Sequence, residues 1–198
     1  MDYEECLKRF NDPEMCGFGL KVIQMAEDLR LEECLDRHEA QRCLEKCLKN
    51  CRGATCRELC LSALDAAAAK GIARRLAQGA VAAASETGLT APEAAAMGFS
   101  MLLEEPDGNC IDKVVSMRVL GLVAMELRNL LGMQDMLLLL APAVAKAHEC
   151  LGDDAFNLLD MLVPALGREA VERIAAAMEE GAVKIGRVVI KFPPAKPT

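Results

Sequence analysis

Cys47-Leu48-Lys49-Asn50-Cys51-Arg52-Gly53-Ala54-Thr55-Cys56-Arg57-Glu58-Leu59-Cys60 is the stretch whose reading decides the fold. Its two cysteine pairs, Cys47/Cys51 and Cys56/Cys60, are each spaced i, i+4, so in a helix both thiols of a pair share one face. Side chains so placed have Cβ atoms ~5–6 Å apart, whereas a disulfide wants about 3.5–4.5 Å. Partners within one helix therefore do not bond to each other. They bond across a hairpin. Arg52-Gly53-Ala54-Thr55 is short enough to turn one helix back on the next, and the nested pairing Cys47–Cys60 with Cys51–Cys56 follows.

The motif resembles the paired CX3C helical hairpins of small disulfide-stapled proteins; the likeness covers residues 47–60 and identifies no family for the whole chain. The competing use of Cys47, Cys51, Cys56 and Cys60 is a four-thiolate site for zinc or an iron–sulfur cluster. Structural zinc favours tighter spacing such as C-x2-C, and ferredoxin clusters use loop spacings. Disulfides rank first, metal second and a working redox dithiol third, since no C-x-x-C is present.

The other six cysteines are less constrained. Cys43 extends the Cys47/Cys51 stripe, but the facing helix would offer Leu64 in its place, so Cys6, Cys16 and Cys34 are its candidate partners, or it stays a buried thiol. Cys6-x9-Cys16 is similar to half of the twin CX9C pattern of intermembrane-space proteins, with no second CX9C in the chain and Pro13 inside the interval. Cys110 and Cys150 are isolated and read as core residues, with a clasp between them as the alternative.

Outward from the hairpin, helix signals dominate. Asp12-Pro13-Glu14 puts a capping residue before a proline and opens a helix to about Leu31. Asp36-Arg37-His38-Glu39 has capping-box spacing and predicts a break there. Residues 56–85 are alanine-rich, which lets helices approach closely. Gly88 ends that segment, and Thr90-Ala91-Pro92-Glu93 is a second capping box for a helix to Glu104. Glu105-Pro106-Asp107-Gly108-Asn109 reads as a loop. Helices over 111–131 and 133–150 divide at Gly132; another begins at Gly152-Asp153 and is interrupted by Pro164; the last runs from Gly167 to Glu180. Arg187-Val188-Val189-Ile190-Lys191-Phe192 has strand propensity, and Pro193, Pro194 and Pro197 follow. A lone strand leaves its backbone groups unpaired, so it pairs with something or remains an extended tail.

These signals predict an all-α protein of about eight helices: a cysteine-rich helical hairpin unit over residues 1–62, an Ala/Leu/Met-rich bundle over 63–185 and an extended Pro-rich tail over 186–198, with 1–185 as one compact domain. Apolar residues make up 53% of the chain but aromatics only 3%, so the core is built from Leu, Ala, Val, Met and Cys.

A formal charge of −7, with neither part basic, gives no diffuse footprint for nucleic acid. The acidic start, Met1-Asp2-Tyr3-Glu4-Glu5, does not read as a signal peptide, and no run of about 18 apolar residues predicts a membrane span. Ten cysteines without such a signal fit three settings: a cytoplasmic hyperthermophile protein with structural disulfides, a metal protein, or export by another route. The first is the expectation. His38 and His148 lack the Glu three positions earlier that helix-bundle di-metal sites use. Adjacent carboxylates (Glu32-Glu33, Glu104-Glu105, Asp153-Asp154, Glu179-Glu180) point about 100° apart on a helix and read as solvated charge. No hydrolase, P-loop or dinucleotide motif is present. The functional expectation is a non-catalytic interaction or scaffold protein, homo-oligomeric or accessory to a larger assembly and without a cofactor. The alternative is a thiol-redox or metal protein using the cluster of four cysteines.

Overall fold

A computed structural model describes residues 2–104 and 109–196, so residues 105–108 of the loop expected over 105–109 and the last proline, Pro197, lie outside the described residues. Among those described, twelve helical segments precede one two-stranded sheet. The chain divides into two compact units, residues 1–71 and 72–198. The division falls inside a single long helix, not at residue 62, and the residues beyond 185 belong to the second unit.

The first unit opens with α1 (Tyr3–Phe10), capped by the Asp2 carboxylate, which accepts from the Glu5 backbone N–H at 2.8 Å. Asn11 then turns left-handed, at φ +50, and α2 (Pro13–Asp28) starts on Asp12, which accepts from Met15 N–H at 2.9 Å. α2 stops three residues before the expected Leu31 because Arg30 also adopts a left-handed backbone, φ +49, a conformation that costs a non-glycine residue energy. α3 (Leu31–Arg37) runs straight through Asp36, so the capping box expected there does not form. The break comes at His38 and Glu39, both extended, before α4 (Ala40–Lys49). Gly53, at φ +125, lies in the turn to α5 (Cys56–Thr87). The unit's core gathers Val22, Leu31, Leu59, Ala63, Leu64 and Ala67 around the sulfurs of Cys34, Cys43, Cys47 and Cys60.

In the second unit, α6 (Ala91–Leu103) carries the complete Thr90/Glu93 capping box. α7 (Cys110–Glu126) and α8 (Arg128–Leu131) occupy the stretch expected as one helix, jointed at Leu127. α9 (Met133–Leu151) is the central element: residues 139–145 are buried without interruption, and it packs against α7, α10 (Asp154–Asp160) and α12 (Arg168–Glu180). Pro164 does not interrupt a helix; it sits in the first turn of α11 (Val163–Leu166), where its missing N–H costs nothing. The excess over eight helices comes from α1, α3 and α8 and from the division of the helix expected after Gly152 into α10 and α11.

The strand-forming stretch near the C-terminus finds its partner within the chain. β1 (Ala182–Ile185) pairs antiparallel with β2 (Val188–Lys191), Val183 opposite Ile190 and Ile185 opposite Val188. Val183, Ile185 and Ile190 are buried, while Lys184, Val189 and Lys191 face solvent, the alternation a half-buried sheet requires. The two-residue turn is Gly186-Arg187, with glycine first at φ +57, which matches strand twist without a Cβ penalty. Beyond β2 the chain runs extended and is held down: Phe192 N–H donates to Gly181 and Ala195 N–H to Met178, each at 2.9 Å.

Candidate functional site

All ten cysteines are bridged. Cys47–Cys60 and Cys51–Cys56 join α4 to the start of α5 in nested order, each with Cα atoms 5.7 Å apart. Cys34–Cys43 ties α3 to α4, and Cys6–Cys16 ties α1 to α2. Cys43 thus takes the one of its three candidate partners that lies just across the 38–39 break. Cys47, Cys60 and Cys43 are fully enclosed. Over the outer bridge lies the Met25 thioether, its Sδ 3.2 Å from Cys47 Sγ and 3.9 Å from Cys60 Sγ; with no thiol hydrogen left, this is a polarizable sulfur–sulfur packing contact. A disulfide offers no thiolate, so a zinc or iron–sulfur site on these four residues would first require both bridges to be reduced. Among the described residues no group of three or more His, Cys, Asp or Glu side chains converges as a metal site.

Cys110 and Cys150 also form a bridge, between the first turn of α7 and the last turn of α9. Beside it Lys113 pairs with Glu149 at 2.7 Å. His148 presents an edge to Phe156, ring centroids 5.5 Å apart, and its Nε2 lies 4.0 Å from the Asp153 carboxylate. His38 lies in the first unit and His148 in the second. The adjacent carboxylates sit near helix ends: Glu32 and Glu33 in the first turn of α3, Glu104 at the end of α6, Asp153 and Asp154 at the start of α10, and Glu179 and Glu180 closing α12. Glu105 lies outside the described residues.

The most polar buried point is one the sequence marks only as a cap. Glu93 is 5% exposed. Its carboxylate accepts from the backbone N–H of Thr90 at 2.9 Å and of Arg187 at 2.8 Å, and from the Arg187 guanidinium at 3.1 and 2.9 Å. Arg187 also donates to the Gly88 carbonyl at 2.7 Å. The guanidinium bonds come first, and the two backbone donors second, in holding the Glu93 carboxyl down to about 2 from its usual 4.5; the same contact raises Arg187. One carboxylate thus serves two jobs, finishing the N-terminus of α6 and anchoring the hairpin turn.

The second half of α5 and α6 also enclose an apolar groove of about 570 Å³. Ile72, Leu76 and Ala80 line one wall, Met97, Met101 and Leu102 the other. Met97 is 45% exposed and Met101 67%. The helices close in at Gly98, where a Cβ would lie 2.8 Å from the Leu76 side chain.

Set beside known proteins, the chain matches no family model, no curated protein and no solved structure.

Proposed function

We propose that this chain is a non-catalytic helical interaction protein that associates with a second copy of itself or, as an accessory subunit, with a larger assembly. The observation that carries the reading is the groove between α5 and α6, where flexible methionines stand exposed at the rim of an apolar trough. Met adapts to irregular partner surfaces and is enriched where proteins meet. Two copies presenting the same groove make a self-complementary, closed contact. A protein, rather than nucleic acid or a membrane, is the partner proposed for this face; among the described residues no helix is long and apolar enough to cross a membrane.

Five bridges without a free thiol suit a setting in which disulfides persist. That is an oxidising compartment or, if the protein is cytoplasmic, the cytosol of a hyperthermophile.

Sedimentation velocity over a hundredfold range of concentration tests the association. The expected result is a concentration-dependent species of twice the monomer mass, lost in Met101→Glu. A monomer at every concentration, with no partner retained by the native complex on mild purification, overturns the reading.

A further inference from the structure

A second cavity, of about 530 Å³, opens on the first unit between the end of α3 and the outer face of α4. Its charge runs opposite to that of the chain. Arg30, Arg37, Arg42, Lys46 and Lys49 line it against only Glu33 and Glu45, in a protein of net charge −7. Arg42, Lys46 and Lys49 fall at i, i+4 and i+7, one stripe of α4, while Cys43 and Cys47 occupy the buried face of the same helix. Arg37 closes the last turn of α3 from the facing wall.

Two of the five cations are already engaged. Arg30 Nε donates to Glu33 at 3.0 Å, and Lys46 Nζ donates to the Leu29 carbonyl at 2.6 Å. The side chains of Arg37, Arg42 and Lys49 have no acidic partner among the described residues. The walls are fixed to one another: Cys34, bridged to Cys43, lies in the lining, and Cys47–Cys60 holds α4 from behind. Left-handed Arg30 is part of the lining. Binding here needs little ordering of the backbone, which removes a main cost of association.

We propose that this cavity is a binding site for a ligand carrying phosphate groups. Three unpaired cations in one small cavity call for concentrated negative charge, which a phosphate of −1.5 to −2, roughly, supplies and a single carboxylate does not. The forks of Arg37 and Arg42 each suit bidentate contact with phosphate oxygens, with Lys49 as a point charge between them and solvent. The volume suits a small molecule or a single headgroup. A free phosphate compound and a phosphomonoester lipid headgroup share this chemistry.

The test is titration calorimetry of the full, oxidised chain with sodium tripolyphosphate at about 50 mM salt, repeated at ~200 mM, where exposed charges are screened harder. Vesicles of phosphatidylcholine with and without phosphatidic acid form the second arm. Saturable binding is expected, weaker at the higher salt, and reduced at least about tenfold in Arg37→Ala/Arg42→Ala, from the loss of charge-assisted bonds. Arg128→Gln, in the other unit, leaves it unchanged. Lys49→Glu provides an independent variant should the double substitution fold poorly. Binding of tripolyphosphate alone identifies a free phosphate compound, and binding of phosphatidic acid vesicles alone identifies a headgroup; either supports the site. No binding in either arm, undiminished binding by the variants, or displacement by equimolar tetraglutamate overturns it.

Discussion

Removing the bridge between Cys110 and Cys150 is the perturbation whose size the structure constrains best. The two residues are 40 apart in sequence, the widest separation of the five bridges. Cross-linking a segment of about 41 residues lowers the entropy of the unfolded chain enough to stabilise the native state by roughly 4 kcal/mol in the chain-entropy model. Native-state terms are small beside this. Cys110 is exposed and Cys150 half-buried, so truncation to alanine leaves little cavity. The neighbouring Lys113–Glu149 pair, with side chains 22% and 38% exposed, remains and is worth about 0–1 kcal/mol. Cys110→Ala/Cys150→Ala should therefore keep its fold, because α7 still packs on α9, and lose about 3–4 kcal/mol, a large share of the ~5–15 kcal/mol typical of a domain.

Urea unfolding followed by far-ultraviolet circular dichroism measures the loss. The slope against urea should steepen, since an uncross-linked denatured chain exposes more surface. Tyr3 is the only tyrosine in a chain without tryptophan and lies in the other unit, so its emission provides an internal reference. A loss below about 1 kcal/mol with an unchanged slope would refute the reasoning.

Protonating Glu93 should loosen the second unit. Its folded value lies near 2, below the usual 4.5, so the stabilisation is complete above about 4.5 and is lost as pH falls through about 2; melting temperatures from pH 6 to pH 2 should fall more steeply for the wild type than for Glu93→Gln. Gly186→Ala should destabilise by more than about 1 kcal/mol, because its φ is +57 and the added Cβ would run into the Glu93 carboxylate; thermal melts at neutral pH check it, and an unchanged midpoint counts against the turn. Met25→Ala should let dithiothreitol open Cys47–Cys60 faster while Cys6–Cys16 keeps its rate, since Met25 covers only the former; timed alkylation and peptide mass mapping distinguish the two.

How legible each feature was depends on how local its cause is. The stapled hairpin could be read because its geometry is contained in residues 47–60: x3 spacing fixes a helical face and a short turn fixes the partner. Gly132, Gly167 and Gly181 announced helix ends in the same local way. The α2–α3 break was missed by three residues because it rests on a left-handed arginine, and nothing in the residue type marks Arg30 for that conformation. The bridge from Cys110 to Cys150 depends on the antiparallel alignment of α7 with α9, a tertiary fact with no local signature. Glu93 was legible as a cap, but its second partner lies 94 residues away. Alternation across Ala182-Val183-Lys184-Ile185 and Val188-Val189-Ile190-Lys191, split by Gly186-Arg187, was the available sign of a hairpin. Reading the second segment alone hid it. The basic cavity was invisible for another reason: its charges are spread from Arg30 to Lys49 along the chain, among acids of which only Glu33 and Glu45 join the lining.

The placement of that cavity follows from how the first unit is held together. A segment this short, without buried aromatic rings, buries too little apolar surface to be secure on that alone. It holds four of the five bridges, and all eight of their sulfurs belong to buried or half-buried residues, so cystine acts as both cross-link and core filling. α4 shows the consequence. Its inward face needs only Cys43 and Cys47 to be fixed at two points, which leaves the outward face free of any packing duty. Like charges along such a face repel and would loosen an ordinary helix, but covalent ties make α4 tolerant of Arg42, Lys46 and Lys49 in one stripe. The bridges and the cations thus belong to one arrangement, in which the sulfurs behind the helix allow a concentration of positive charge in front of it that packing alone would not hold.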